Sequence, residues 1–216
     1  IYSCGDYILN DEGVKKTAKT KDGDFVLVPI CSQPLLIVER LRNIQDNCEK
    51  VVLAFCVGNS WETVQVEREV IASNTKIIRL ANFSIDVTSE TAKDIVKYLQ
   101  CLMQKNINLI KVSHTVNRLG WQNGEFVPYS DKVKCDSISE FLGIYRAIES
   151  KGNYELWIKH CLKLRENIYL RLTMAASFAA PLIEIIGGLP FIVHLWGGTG
   201  AGKTVALNVA ASVWGK

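Results

Sequence analysis

The feature that most constrains this chain lies near its end. The run Phe191-Ile192-Val193-His194-Leu195-Trp196 is apolar except for His194, and Gly197-Gly198-Thr199-Gly200-Ala201-Gly202-Lys203-Thr204 follows it directly. A short, nearly continuous apolar run predicts a parallel strand covered on both faces. The next eight residues fit G-x-x-x-x-G-K-[ST], the pattern of a phosphate-binding loop. Each residue type has a physical reason. Glycines let the backbone take positive φ and approach an anion with no Cβ in the way. Successive N–H groups then face inward as a concave nest. The helix predicted over Val205–Trp214, with Gly215 as its stop, adds free N–H groups and the positive end of its dipole. Lys203 would reach the outer phosphates of ATP, and the Thr204 hydroxyl would ligate Mg²⁺. The candidate catalytic residues are therefore Lys203 and Thr204, and the candidate binding residues are Gly197 to Thr204.

The 216 residues suffice for one large domain or two small ones. The chain is 48% hydrophobic and 22% charged, the balance of a globular protein. A net charge of +3 is too small to argue for nucleic acid by itself. The seven cysteines are scattered, odd in number and free of C-x-x-C pairs, and the three histidines are isolated. This pattern supports neither zinc nor a disulfide framework, so a reducing cytoplasm is the expectation. No signal-peptide pattern opens the sequence. Its first residue is Ile1, which predicts a start inside a longer protein. Met174–Trp196 is long and apolar enough to raise the question of a membrane span. Pro181, Glu184, Gly187-Gly188 and Pro190 break it, and it leads into a loop that must meet water, so a buried helix and a buried strand are expected instead.

Residues 1–110 read as a β-rich α+β domain, 111–188 as a β-hairpin and helical segment, and 189–216 as the start of a nucleotide-binding core. In the first, Tyr2–Leu9 reads as one strand ending at the turn Asn10–Gly13, and Phe25–Ile30 as a second after the turn at Lys21–Asp24. Leu35–Arg42 allows helix or strand. Val51–Val57 and Trp61–Val66 read as strands, the latter half-exposed. Together they predict an antiparallel meander. Ile77–Asn82 reads as a short helix. Ala92–Lys105 reads as a longer one, with Ile95, Val96, Leu99, Leu102 and Met103 on one face behind capping signals at Thr88–Thr91.

Strand signals return at Val112–Arg118, and Asn123-Gly124 between Leu119 and Pro128 is the strongest hairpin signal in the chain. Trp121 and Phe126 read as packing residues. Helices are predicted over Ser139–Glu149, Tyr154–Leu164 and Asn167–Ile186, the last kinked at Pro181 and buried on most sides. Lys159, Lys163 and Arg171 could form a basic stripe. It reads either as a contact for a nucleic-acid backbone or, by base rates, as a solvated face. His194 reads as a hydrogen-bonded core histidine rather than a catalytic base.

Leu119-Gly120-Trp121, Phe126-Val127-Pro128, Ala175–Leu182, His194–Thr204 and Ala210–Gly215 together resemble the family catalogued as domain of unknown function 927, found in bacterial, plasmid and phage-type proteins and often described as primase-helicase-like. The β-rich front half resembles the family's N-terminal region more loosely. The resemblance implies a RecA-like ATPase core opening with the strand at Phe191, phosphate contacts from Gly197 to Thr204, and a role in mobile-element replication. The partners implied for the parent protein are nucleic acid, DNA ahead of RNA, and further copies of itself, with no membrane. The sequence stops at Lys216, one helix into that core, and an acidic Mg²⁺ residue, sensors and an arginine finger would lie later. The chain is thus expected to be a fragment that does not turn over ATP. Its lone strand and helix would pack on the preceding helices, be partly disordered or borrow a partner chain. Two other readings stay open: a recruitment or oligomerisation module with a non-functional phosphate loop, and a phosphotransferase.

Overall fold

The computed structural model describes residues 2–136 and 142–215. The chain forms two compact units that divide between Thr115 and Val116.

The first unit is a mixed α+β structure. Strands β1 (Tyr2–Cys4), β2 (Tyr7–Asn10), β3 (Gly13–Lys19) and β4 (Phe25–Cys31) form an antiparallel sheet in sequential order, the expected meander. Two details differ from the sequence reading. Tyr2–Leu9 is a hairpin rather than one strand, because Gly5, at φ 61°, lets the chain double back. Gly13–Lys19 carries three lysines and no apolar alternation, so pattern does not announce it. Hydrogen bonding to β2 on one side and β4 on the other makes it a strand.

A second antiparallel set follows: β5 (Leu35–Asn43), β6 (Glu49–Val57) and β7 (Ser60–Glu67). The ambiguous stretch from Leu35 is thus a strand, with Leu35 and Leu41 buried. Strand β8 (Lys111–Val116) joins β5 in parallel. Parallel neighbours need a long crossover. Here the connection includes β6, β7, 3-10 turns at Val70–Ala72 and Ile77–Phe83, and helix α1 (Ala92–Lys105). Every apolar position expected on the inner face of α1 is buried. At about 1.5–3 kcal/mol per buried large side chain, this face outweighs any difference in helix propensity. Cys4 and Cys101 are paired as a disulfide, Cα atoms 6.2 Å apart, joining β1 to α1 across 97 residues. The sequence reading, which found no support for a disulfide framework, did not foresee this pair, because spacing alone cannot pick it from seven cysteines.

Two polar interactions stand out in this unit. The Tyr98 hydroxyl, in the core, donates to the carbonyl of Leu35 at 2.7 Å, while its ring meets Tyr7 edge-on. Arg40 on β5 donates twice to Glu49 on β6, at 2.7 and 3.2 Å. That hydrogen bonding holds the Glu49 carboxyl below the ordinary carboxylate range.

The second unit opens with the hairpin β9 (Gly120–Gln122) and β10 (Glu125–Val127). Asn123 and Gly124 both have positive φ, as a two-residue type I′ turn requires. A short strand, β11 (Val133–Cys135), comes next. The helices are α2 (Leu142–Ala147), α3 (Tyr154–Leu164), α4 (Ile168–Ala179), α5 (Leu182–Ile185) and α6 (Lys203–Ala211). The start of the helix expected over Ser139–Glu149 lies outside the described residues. Asn153 and Asn167 cap α3 and α4, each side chain accepting first-turn N–H bonds. No described helix is long and apolar enough to cross a membrane.

Three expectations are corrected here. The helix from Asn167 is split at Pro181, which lacks the N–H that a continuous helix needs. It is not buried on most sides: on α4 only Thr173 and Met174 are buried, because the described neighbours cover one stripe of it. The strand expected at Phe191–Trp196 is not formed, and Ile192 is 95% exposed. A parallel strand exists only through its neighbours, and no described strand pairs with this run.

Two outcomes follow for the first unit. Tyr98→Phe leaves the Leu35 carbonyl buried without its donor, so urea unfolding should show a loss of about 1–3 kcal/mol. Glu49 is held ionised below its ordinary value of about 4.5. Its contribution is therefore present above that pH and lost as pH falls towards the depressed folded-state value. Stability of Glu49→Gln, followed by unfolding between neutral and acid pH, should decline less steeply below that point than the wild type.

Candidate functional site

The loop Gly197–Thr204 has the backbone that its sequence demands. Gly197, Gly200 and Gly202 have φ of 151°, 83° and 79°, values that a side chain would strain. A Cβ placed on Gly198, Gly200 or Gly202 would meet nothing within 4 Å, so the space beside the loop is open. Gly202 is the left-handed cap of α6, and Lys203 and Thr204 are its first two residues. The first-turn N–H groups have no intrahelical acceptor. The turn is closed by Ala201 N–H on the Gly198 carbonyl and Ala206 N–H on the Gly202 carbonyl. Lys203 Nζ donates to the carbonyls of Gly197 and Gly198, both at 2.8 Å, so the ammonium sits against the loop itself. Thr199, Ala201 and Thr204 are exposed. All eight candidate binding residues thus lie in one turn at one helix end.

What positions this turn is the packing of α6. Ser177 Oγ on α4 donates to the Ala210 carbonyl at 2.8 Å and accepts from Trp214 Nε1 at 2.9 Å. Trp157 Nε1 on α3 donates to Ser212 Oγ at 3.0 Å. The Trp214 ring lies 6.1 Å from Phe126 on β10, and Phe126 lies 5.1 Å from Trp121. Trp121 Nε1 in turn donates to the Pro181 carbonyl at 2.6 Å. Trp121 and Phe126 are therefore packing residues, as expected. The segments that carry the family resemblance meet one another: 119–128 touches 175–182 through Trp121, and both touch 210–215 through Trp214. Sequence alone shows these segments but not that Ser177 and Trp214 join them. The signal available was a serine after two alanines on α4 and a tryptophan just past α6.

His194 is exposed, which corrects the expectation of a core histidine, since the strand that would bury it is not formed. Lys159, Lys163 and Arg171 are all exposed, on α3 and α4. Among the described residues, no group of histidine, cysteine and acidic side chains is arranged to hold a metal.

Residues 7–216 match the family model described as Domain of unknown function (DUF927). The chain belongs to that family. No curated protein matches it. Among solved structures it is similar to SCCmec type IV Cch, described as an active helicase, with a TM-score of 0.62 and 16% identity. The likeness covers 100% of this chain and 42% of that one, so this chain spans less than half of its neighbour's length. At this identity the likeness speaks for the fold.

If Ser177 ties α6 to α4, Ser177→Ala should cost about 1–2 kcal/mol. It should also raise amide exchange in α6 more than in α1. Equal protection of α6 in variant and wild type would contradict that role.

Proposed function

We propose that this DUF927 chain carries the ATP-Mg²⁺ binding loop of a helicase-type ATPase with a RecA-like core that remodels nucleic acid, DNA ahead of RNA, in mobile-element replication. The observation that carries the reading is the turn Gly197–Thr204. Gly197, Gly200 and Gly202 take the positive φ of an anion nest, and the turn runs into the free N–H groups of α6. The resemblance to a solved helicase favours nucleic acid as the partner.

The residues present fit a triphosphate. The loop is open above Gly198, Gly200 and Gly202, and the amides from Gly200 to Thr204 would cradle phosphate oxygens. Lys203 would exchange two neutral carbonyl acceptors for an anionic one, a stronger charge-assisted bond. Thr204 would hold Mg²⁺, which supplies charge neutralisation between the outer phosphates. Lys203 and Thr204 thus bind and orient, and turnover would also need an acidic residue for Mg²⁺ and an arginine finger. Assembly with further copies of the same protein belongs to this reading.

ATP-Mg²⁺ should raise the thermal midpoint of the 216-residue chain. The gain is about 1.4 kcal/mol at tenfold excess over the dissociation constant. Lys203→Ala should lose that shift and abolish ATP turnover in the longer protein. Its own stability should stay within about 0.5 kcal/mol, because the ammonium touches only the loop. Retained turnover in Lys203→Ala would refute the assignment. A wild-type longer protein that neither binds nor hydrolyses ATP would leave the recruitment or oligomerisation module in its place.

A further inference from the structure

We infer that the cleft between α3 and α4 is a binding groove for single-stranded nucleic acid, an inference that rests on the nucleic-acid reading above. The cleft has a volume of about 330 Å³. One face of each helix lines it: Trp157 and Cys161 on α3 with Arg165 just past its end, at intervals of four, and Arg171, Met174 and Phe178 on α4. Its two ends differ in chemistry. Trp157 and Phe178 supply aromatic surface at one end. Arg165 and Arg171, either side of the α3–α4 turn, supply positive charge at the other. The rise per helical residue puts Trp157 and Arg165 about 12 Å apart along the axis, room for a base and the neighbouring phosphates.

The aromatic end continues into a second cleft of about 480 Å³ that shares Trp157, Ile158 and Phe178. There the Tyr154 ring stacks on Trp157, 6.1 Å between centroids and 19° between planes, and Tyr154 is 73% exposed. Trp157 is half-buried and anchored through its Nε1 to Ser212, whereas the Tyr154 ring stacked on it is exposed and offers a flat face to a base. Lys151 and Glu149 also line this cleft. Lys159 and Lys163 lie one turn apart on exposed positions of α3. None of Lys159, Lys163, Arg165 and Arg171 takes part in an ion pair among the described residues.

These charges choose the occupant. An apolar partner helix would leave two arginines desolvated and unpaired, which is costly. An acidic peptide would satisfy the arginines but has no planar ring for the Tyr154–Trp157 pair. A single strand satisfies both, with phosphates on the cations and bases on the rings. A duplex keeps its bases stacked inside and cannot use the platform.

The test is fluorescence anisotropy of the 216-residue chain with an end-labelled oligothymidylate of about 20 nucleotides and with the matching duplex. Binding should be tighter to the single strand and should weaken between about 50 and 200 mM salt. The double variant Arg165→Glu/Arg171→Glu should weaken it roughly tenfold or more and reduce the salt slope by about 1.4, the loss of two phosphate contacts. Tyr154→Ala, at an exposed position, should weaken it roughly fivefold or more with the salt slope unchanged. Circular dichroism and thermal midpoints matching the wild type establish that the variants are folded. Wild-type affinity in the double variant, equal affinity for duplex, or no binding by the wild-type chain would each overturn the groove.

Lys203→Ala separates this inference from the nucleotide reading. It should abolish the ATP-Mg²⁺ shift and leave oligonucleotide affinity intact. Oligonucleotide binding that follows Arg165 and Arg171 in a chain that ignores ATP would sink the nucleotide reading and keep the groove. An ATP shift with no dependence of oligonucleotide binding on the arginines would do the reverse.

Discussion

The turn Gly197–Thr204 holds its place only if the helix that follows it is fixed, and here one hydroxyl does much of the fixing. Ser177 Oγ accepts from Trp214 and donates to the carbonyl of Ala210, so a single side chain on α4 ties both the last turn of α6 and the residues that follow it. Only Ala206 of α6 is buried, so packing area alone holds this helix weakly. A directional bond at its far end sets its axis, and the axis sets where the first-turn N–H groups of Lys203 and Thr204 point. The aromatic chain from Trp214 through Phe126 to Trp121, ending on the Pro181 carbonyl, braces the same corner from the hairpin side.

The first unit is built on a different principle. Its core is continuous and apolar, centred on residues such as Leu53, Phe55, Ile95 and Leu99. Burial rather than individual hydrogen bonds holds it. Tyr98 is an exception, since its hydroxyl lies inside that core and needs the Leu35 carbonyl as a partner. Burial also pushes the Cys31 thiol up to about 11, leaving it protonated at neutral pH. The Cys4–Cys101 link adds a covalent tie between the first strand and α1.

The contrast between the units explains which features could be read in advance. Amphipathic α1 and the type I′ turn at Asn123-Gly124 are local, so their residues carry the whole signal. The apolar run at Phe191 predicted a parallel strand that is not formed, because a strand's hydrogen bonds belong to its neighbours and none of the described strands supplies them. The same dependence on partners hid β3, whose lysines conceal its place between two other strands, and it left α4 far more exposed than its composition suggests.

From the sequence alone came the phosphate-loop pattern, the family likeness, the front β-meander and the identity of nearly every helix, because backbone conformation at glycines, helical periodicity and turn chemistry are properties of a few adjacent residues. The tertiary structure decided the rest. It showed which of seven cysteines pair, that β8 lies parallel to β5, and that Ser177 and Trp214 meet. It also set Arg165 and Arg171 beside one aromatic cleft. These facts join residues tens of positions apart, and contacts at that range are settled by packing and loop closure rather than by any short stretch of chain.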